Sequence, residues 1–297
     1  MNKSPVIKGL QRLHYSDPQE EFHAARKSLY YLWWAYLRLS KDYWWVCQQQ
    51  GETLDPKLHA VWRDFGNVFD GEFWSWWKNN GRSLFAEQMR LPHVRAIDPN
   101  EASLNAAEQH IVVEIPLNLT ERTIARQVMA LVRAHPSRQV MPVSRARRQL
   151  CKLRGVKAAV IRKAHDIWCA NHLIELAKQP NSTIGAPLNR MSHYQIGIKL
   201  ELVRNCMPKK YDGDDVARKK RNGMKVAVSR MIIRANALIA NAEIGVFPST
   251  AKLEPGERWS ANQLAALNEA VSQGKWQPPS ANVREVKQIL DLSLLPS

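Results

Sequence analysis

Residues 216–245 read VARKKRNGMKVAVSRMIIRANALIANAEIG, and this stretch decides the fold class. Met224, Val228, Met231, Ile232, Ala235, Leu238, Ile239 and Ala242 recur at the spacing of one helical face. The first two turns carry Arg218, Lys219, Lys220, Arg221 and Lys225. An apolar stripe fixes the C-terminal half of such a helix in a core, so the basic side chains project from an anchored rod and offer a surface for phosphates. Asp214 or Asp215 stands where a cap meets the positive end of the helix dipole. Lys209 and Lys210 precede the helix, and Asp212-Gly213-Asp214-Asp215 reads as turn and cap chemistry.

Working upstream, residues 143–177 suggest a short helix from Ser144 to Leu153, a tight Arg154-Gly155 turn and a longer helix from Val156. That is the outline of a helix-turn-helix. In it Lys157, Arg162 and Lys163 approach DNA while Arg145, Arg147, Arg148 and Lys152 hold phosphates. His165, Cys169 and His172 share one face of the second helix, with Cys151 upstream as a conceivable fourth zinc ligand. The spacing matches no standard finger, and Ile161, Trp168 and Leu173 beside them fit a packing seam, so no metal is assigned. Before this segment, Thr120 caps a helix over 121–134 with Ile124, Val128, Leu131 and Val132 on one side and Arg122, Arg126 and Arg133 on the other. Ile111 to Ile115 reads as one short strand closed by Pro116.

At the N-terminus Asp17-Pro18 opens a helical pattern that runs to Cys47 and meets a stop at Gly51. Unbroken, it would extend about 50 Å at 1.5 Å per residue. Asp55-Pro56 starts a second helix ending at Gly66, and a third segment runs from Gly71 to Leu84, with a break at Gly81-Arg82. Eight of the eleven tryptophans precede residue 90, which calls for either a base-stacking surface or an aromatic core. The near-neutral charge of this region favours the core, with Trp34 or Trp45 left for an interface or self-association. Beyond the basic middle, helices are expected from Ser192 to about Asn205, from Ser260 to Ser272 and from Val283 to Leu292. The expected fold is mainly α, with at most one short β-strand pair. Its expected parts are a Trp-rich helical module over 1–105, a basic helical region over 106–248 and a small helical cap over 249–297.

The charge distribution bears most on function. Across 297 residues, 43 Lys and Arg stand against 27 Asp and Glu, a net +16. Residues 121–234 hold 25 basic and 7 acidic groups, whereas residues 1–100 hold 13 and 11. Charge concentrated in this way points to a polyanion, and nucleic acid is the commonest one. No apolar run approaches a membrane span, and no signal-peptide core follows Met1, so the expected location is cytoplasmic. Four scattered cysteines fit reduced thiols. Phosphate-loop, dinucleotide, nucleophile-elbow and zincin motifs are missing, so nucleotide-driven motors and dinucleotide enzymes are excluded.

The sequence therefore reads as a nucleic-acid-binding protein without catalysis or cofactor, DNA being slightly favoured over RNA. It would act as a regulator or as a subunit of a larger nucleoprotein complex. Two other readings stay open: a protein-interaction subunit that sets its basic face on an acidic partner, and a nuclease whose Asp212, Asp214 and Asp215 hold a divalent metal.

Overall fold

A computed structural model describes Ile7, Leu10 and residues 18–87, 113–134, 146–152, 157–178, 191–254 and 256–276. The chain divides into two compact units, one formed by residues 1–86 with 146–297, the other by residues 87–145. Among the described residues the fold is helical, without a sheet; Ile7 and Ala86 form an isolated bridge. No described helix is long and apolar enough to cross a membrane.

In the first unit the expected long N-terminal helix is three: α1 (Pro18–Lys27), α2 (Leu29–Leu37) and α3 (Lys41–Gln48). Serines make both breaks. Ser28 Oγ accepts the backbone N–H of Tyr30 and Tyr31, and Ser40 Oγ accepts that of Tyr43, so each opens a new helix instead of continuing the old one. α2 reads LYYLWWAYL and is buried almost all round, as a helix must be when every face is apolar. α4 (Pro56–Phe65) is capped by Asp55, whose Oδ1 accepts from Lys57 and Leu58, and ends at Gly66 with φ 65°. No break occurs at Gly81; α5 (Phe73–Trp76) runs through a π turn at Trp77–Gly81 into α6 (Arg82–Phe85). A Cβ at Gly81 would stand 2.6 Å from the Trp77 ring, so only glycine admits this packing.

The tryptophans build a core. Trp33, Trp34, Trp76 and Trp77 are buried, and Trp44, Trp45, Trp62 and Trp74 pack half-buried against them. Trp33 stacks on Phe247 and donates to the Ala242 carbonyl, while the Tyr36 hydroxyl donates to the Ile161 carbonyl. The N-terminal helices thus share one interior with residues far down the chain. Trp34, expected as a candidate interface residue, is instead covered, with the Arg38 guanidinium 4.4 Å from its ring centroid. Burial draws the Arg38 pKa down to about 10.

α8 (Ala158–Ala177), α9 (His193–Lys199), α10 (Asp214–Glu243) and α11 (Ala261–Ser272) complete this unit. α9 stops well short of Asn205: Glu201 turns into the left-handed region at φ 44°, and a 3-10 turn follows at Arg204–Cys206. α11 begins at a Ser260/Gln263 capping box. α10 is the central strut and packs on α2, α4, α8, α9 and the 3-10 turn. In the described part of the helix expected over 144–153, residues 146–152 are non-helical, held by Arg148 N–H to the Leu84 carbonyl and Cys151 N–H to the Phe247 carbonyl. The outline of a helix-turn-helix therefore lacks its first helix among the described residues.

The second unit contains α7 (Glu121–Ala134), which Thr120 caps through the Thr123 N–H. Residues 113–115, the end of the strand that Pro116 was expected to close, are not in one. The remainder of that expected strand, the linkers near 91–105 and 135–143 and the last helix over 283–292 lie outside the described residues.

Candidate nucleic-acid interface

From Met224 onward α10 is locked in place. Met224, Val228, Ala235, Leu238 and Ala242 are buried, and Gly197 lets α9 approach so closely that a Cβ there would stand 2.6 Å from Met224 Sδ. Asn241, 1% exposed, donates through Nδ2 to the carbonyls of Ala237 and Ala251 at 2.8 and 2.9 Å. Glu243, 4% exposed, accepts from Ser40 Oγ and from Arg258 Nη1 at 2.5 Å, and Arg258 also reaches Asp42 at 2.7 Å. Burial raises the Glu243 pKa against the pull of that guanidinium. These contacts hold the other end of the same helix rigid.

That other end carries the charge. Gly213 is the N-cap without a side-chain bond, and Asp214 and Asp215 occupy the first turn instead of capping it. Arg218, Lys219, Arg221 and Lys225 are exposed. Arg218, Arg221 and Lys225 follow i, i+3, i+7 spacing and form one strip about 10 Å long. Arg218 meets Asp215 at 2.6 Å with both side chains largely in solvent, a pair too weak to withhold the guanidinium from a phosphate. Lys219, Arg221 and Lys225 form no ion pair with any described residue.

Lys220 is different. Its Nζ sits 2.7 and 2.8 Å from the two Asp212 carboxylate oxygens and 3.2 Å from the Met207 carbonyl. The ammonium hydrogen bond, joined by the Lys209 backbone N–H at 2.7 Å, lowers the Asp212 pKa. The pair ties residues 207–212 to the first turns of α10. Lys209 and Lys210 stay exposed on that turn beside Tyr211.

Other basic residues singled out from the sequence have intramolecular work. Arg147 and Arg148 both pair with Asp64, at 2.8 and 2.6 Å, and the Asp64 side chain is buried. Arg162 lies over the Tyr31 ring and donates to the Arg26 and Lys27 carbonyls that end α1. Lys163 Nζ donates to the Leu200 and Glu201 carbonyls at the end of α9. Lys152 is exposed, and Lys157, also exposed, occupies the N-cap of α8. Arg122 and Arg126 are exposed on α7 in the second unit, and Arg145 lies outside the described residues. Arg204 and Arg230 are exposed too and were not among the residues picked from the sequence.

Neither metal arrangement assembles among the described residues, where no group of three or more His, Cys, Asp and Glu side chains is placed to hold an ion. His172 stacks on Trp168 at 5.0 Å and meets Trp276 edge-on, and burial pulls its pKa down to about 4. His165 instead turns its Nδ1 to Asp166 at 3.2 Å, with Cys169 Sγ at 3.9 Å. No protein-family model, curated protein or solved structure matches this chain.

Proposed function

We propose that the protein binds nucleic acid through its phosphate backbone, using the exposed basic side chains at the N-terminal end of α10. The observation that supports this most is the strip of Arg218, Arg221 and Lys225 on a helix whose other half is immobilised in the core. Residues 209–225 hold seven basic groups against three acidic, and two of those acids, Asp212 and Asp215, already pair with Lys220 and Arg218. A preorganised cationic strip gains affinity by releasing condensed counterions without the entropic cost of ordering its own backbone. Lys209, Lys210 and Lys219 extend the same positive field.

The role is binding, with no catalytic step assigned, in a regulator or a nucleoprotein subunit. Its four free cysteines fit a reducing, cytoplasmic setting. Asp212, one of the three carboxylates of the nuclease alternative beside Asp214 and Asp215, is already engaged by the Lys220 ammonium and the Lys209 backbone N–H of its own turn. A salt titration of DNA and RNA binding, carried out on the wild type and on the variant Arg218→Ala/Arg221→Ala/Lys225→Ala, tests the proposal. Binding that is tight at low salt, steeply salt-dependent and weakened in the variant supports it. Equal binding by the two proteins sinks it.

A further inference from the structure

The most exposed large aromatic side chain among the described residues is Tyr211, at 91%, in the turn that leads into α10. Its ring face is open to a ligand, and aromatic faces beside cations are what unpaired bases stack on. Its turn is closed tightly. The Asp212 N–H bonds to the Lys209 carbonyl at 3.1 Å, the Lys209 N–H returns to Asp212 Oδ2 at 2.7 Å, and Lys220 clamps Asp212 to α10 with both side chains mostly shielded. The Lys210 ammonium lies 5.9 Å from the Tyr211 ring centroid. An exposed ring on a closed turn, with one cation beside it, leaves little backbone to order when it takes a planar ligand.

We propose that Tyr211 is a stacking platform for an unpaired base, so that the strand held by the α10 strip is single-stranded nucleic acid. The inference rests on the nucleic-acid reading above and adds the form of the ligand. Phosphates lie against Arg218, Arg221 and Lys225, and one base of the same strand leaves its stack to cover the ring. In an intact duplex the base faces are occupied by their neighbours and the ring gains nothing.

The test uses labelled oligothymidylate, oligouridylate and a DNA duplex of equal length at one moderate salt concentration. Wild-type protein is expected to bind the single strands more tightly than the duplex. Tyr211→Ala should weaken single-strand binding by about 5- to 150-fold, as loss of one base–aromatic stack does. Because no charge is removed, the salt slope should not change, and Tyr211→Trp should retain affinity. If Tyr211→Ala binds single strands as the wild type does while Arg218→Ala/Arg221→Ala/Lys225→Ala loses binding, the stacking role is overturned and the phosphate reading stands. Tighter binding to the duplex overturns the stacking role as well. If the wild type binds none of the three probes, both readings fall.

Discussion

Replacing Arg258 with Ala should cost more stability than any other single loss of charge in the first unit. Its guanidinium is shared by Glu243 at 2.5 Å, Asp42 at 2.7 Å and Asp55 at 3.7 Å. Without it Glu243, 4% exposed, keeps only the Ser40 hydroxyl as a partner for a full negative charge. Breaking a buried pair in this way costs about 3–5 kcal/mol, which for a unit of this size is a fall of about 6–20 °C in Tm. The sign of the pH dependence follows. Burial already raises the Glu243 pKa, and losing Arg258 raises it further. The folded variant therefore binds a proton that the unfolded chain has released, and its deficit shrinks as pH falls. Glu243→Gln added to Arg258→Ala removes the stranded charge, so the double variant should be more stable than the single one. Urea denaturation followed by tryptophan fluorescence measures all three. A loss under about 1 kcal/mol for Arg258→Ala, or fully additive losses in the double variant, would show that Arg258 does not neutralise a buried Glu243 charge.

Two further outcomes are expected. His172, its pKa drawn from 6.5 to about 4 by burial, must stay neutral in the folded state. The unfolded chain takes up the proton first, so this group removes about 3 kcal/mol of stability as pH falls from 6.5 through 4, and His172→Gln should flatten that part of the wild-type pH–stability curve. Gly197→Ala places a Cβ 2.6 Å from Met224 Sδ, and this overpacking should outweigh the helix-propensity gain of about 1 kcal/mol and leave a net loss of about 1–2 kcal/mol; in a Met224→Ala background, where only Val228 Cγ2 at 3.1 Å still crowds the new Cβ, the same change should cost clearly less, as thermal denaturation would show.

Local signals in the sequence were legible and long-range ones were not. The stripe from Met224 to Ala242 marked α10 because helical periodicity depends only on near neighbours, and Asp55, Thr120 and Ser260 marked helix starts for the same reason. The breaks at Ser28 and Ser40 were hidden because apolar spacing runs through them; the serines themselves were the available clue. The Trp-rich segment was readable as core from its near-neutral charge, but nothing in it named Ala242, Ile161 and Phe247 as its packing partners. In the basic region composition alone treats all arginines and lysines alike. Arg147 and Arg148 find Asp64 more than eighty residues upstream. Within Arg218 to Arg221, the 100° step per residue turns Lys220 alone towards the preceding turn and its Asp212. Tyr211 carried a signal, an aromatic beside two lysines, that only its exposure made meaningful.

If the α10 strip holds phosphates, the salt dependence of binding to a single strand reports it. Each phosphate contact contributes about 0.7 to the slope of log K against log salt, so removing Arg218, Arg221 and Lys225 should flatten the slope by about 2 and weaken binding about 100-fold at 0.1 M salt. The two proteins should converge as salt approaches 1 M. An unchanged slope with unchanged affinity, in a variant that folds as the wild type does, would contradict the account.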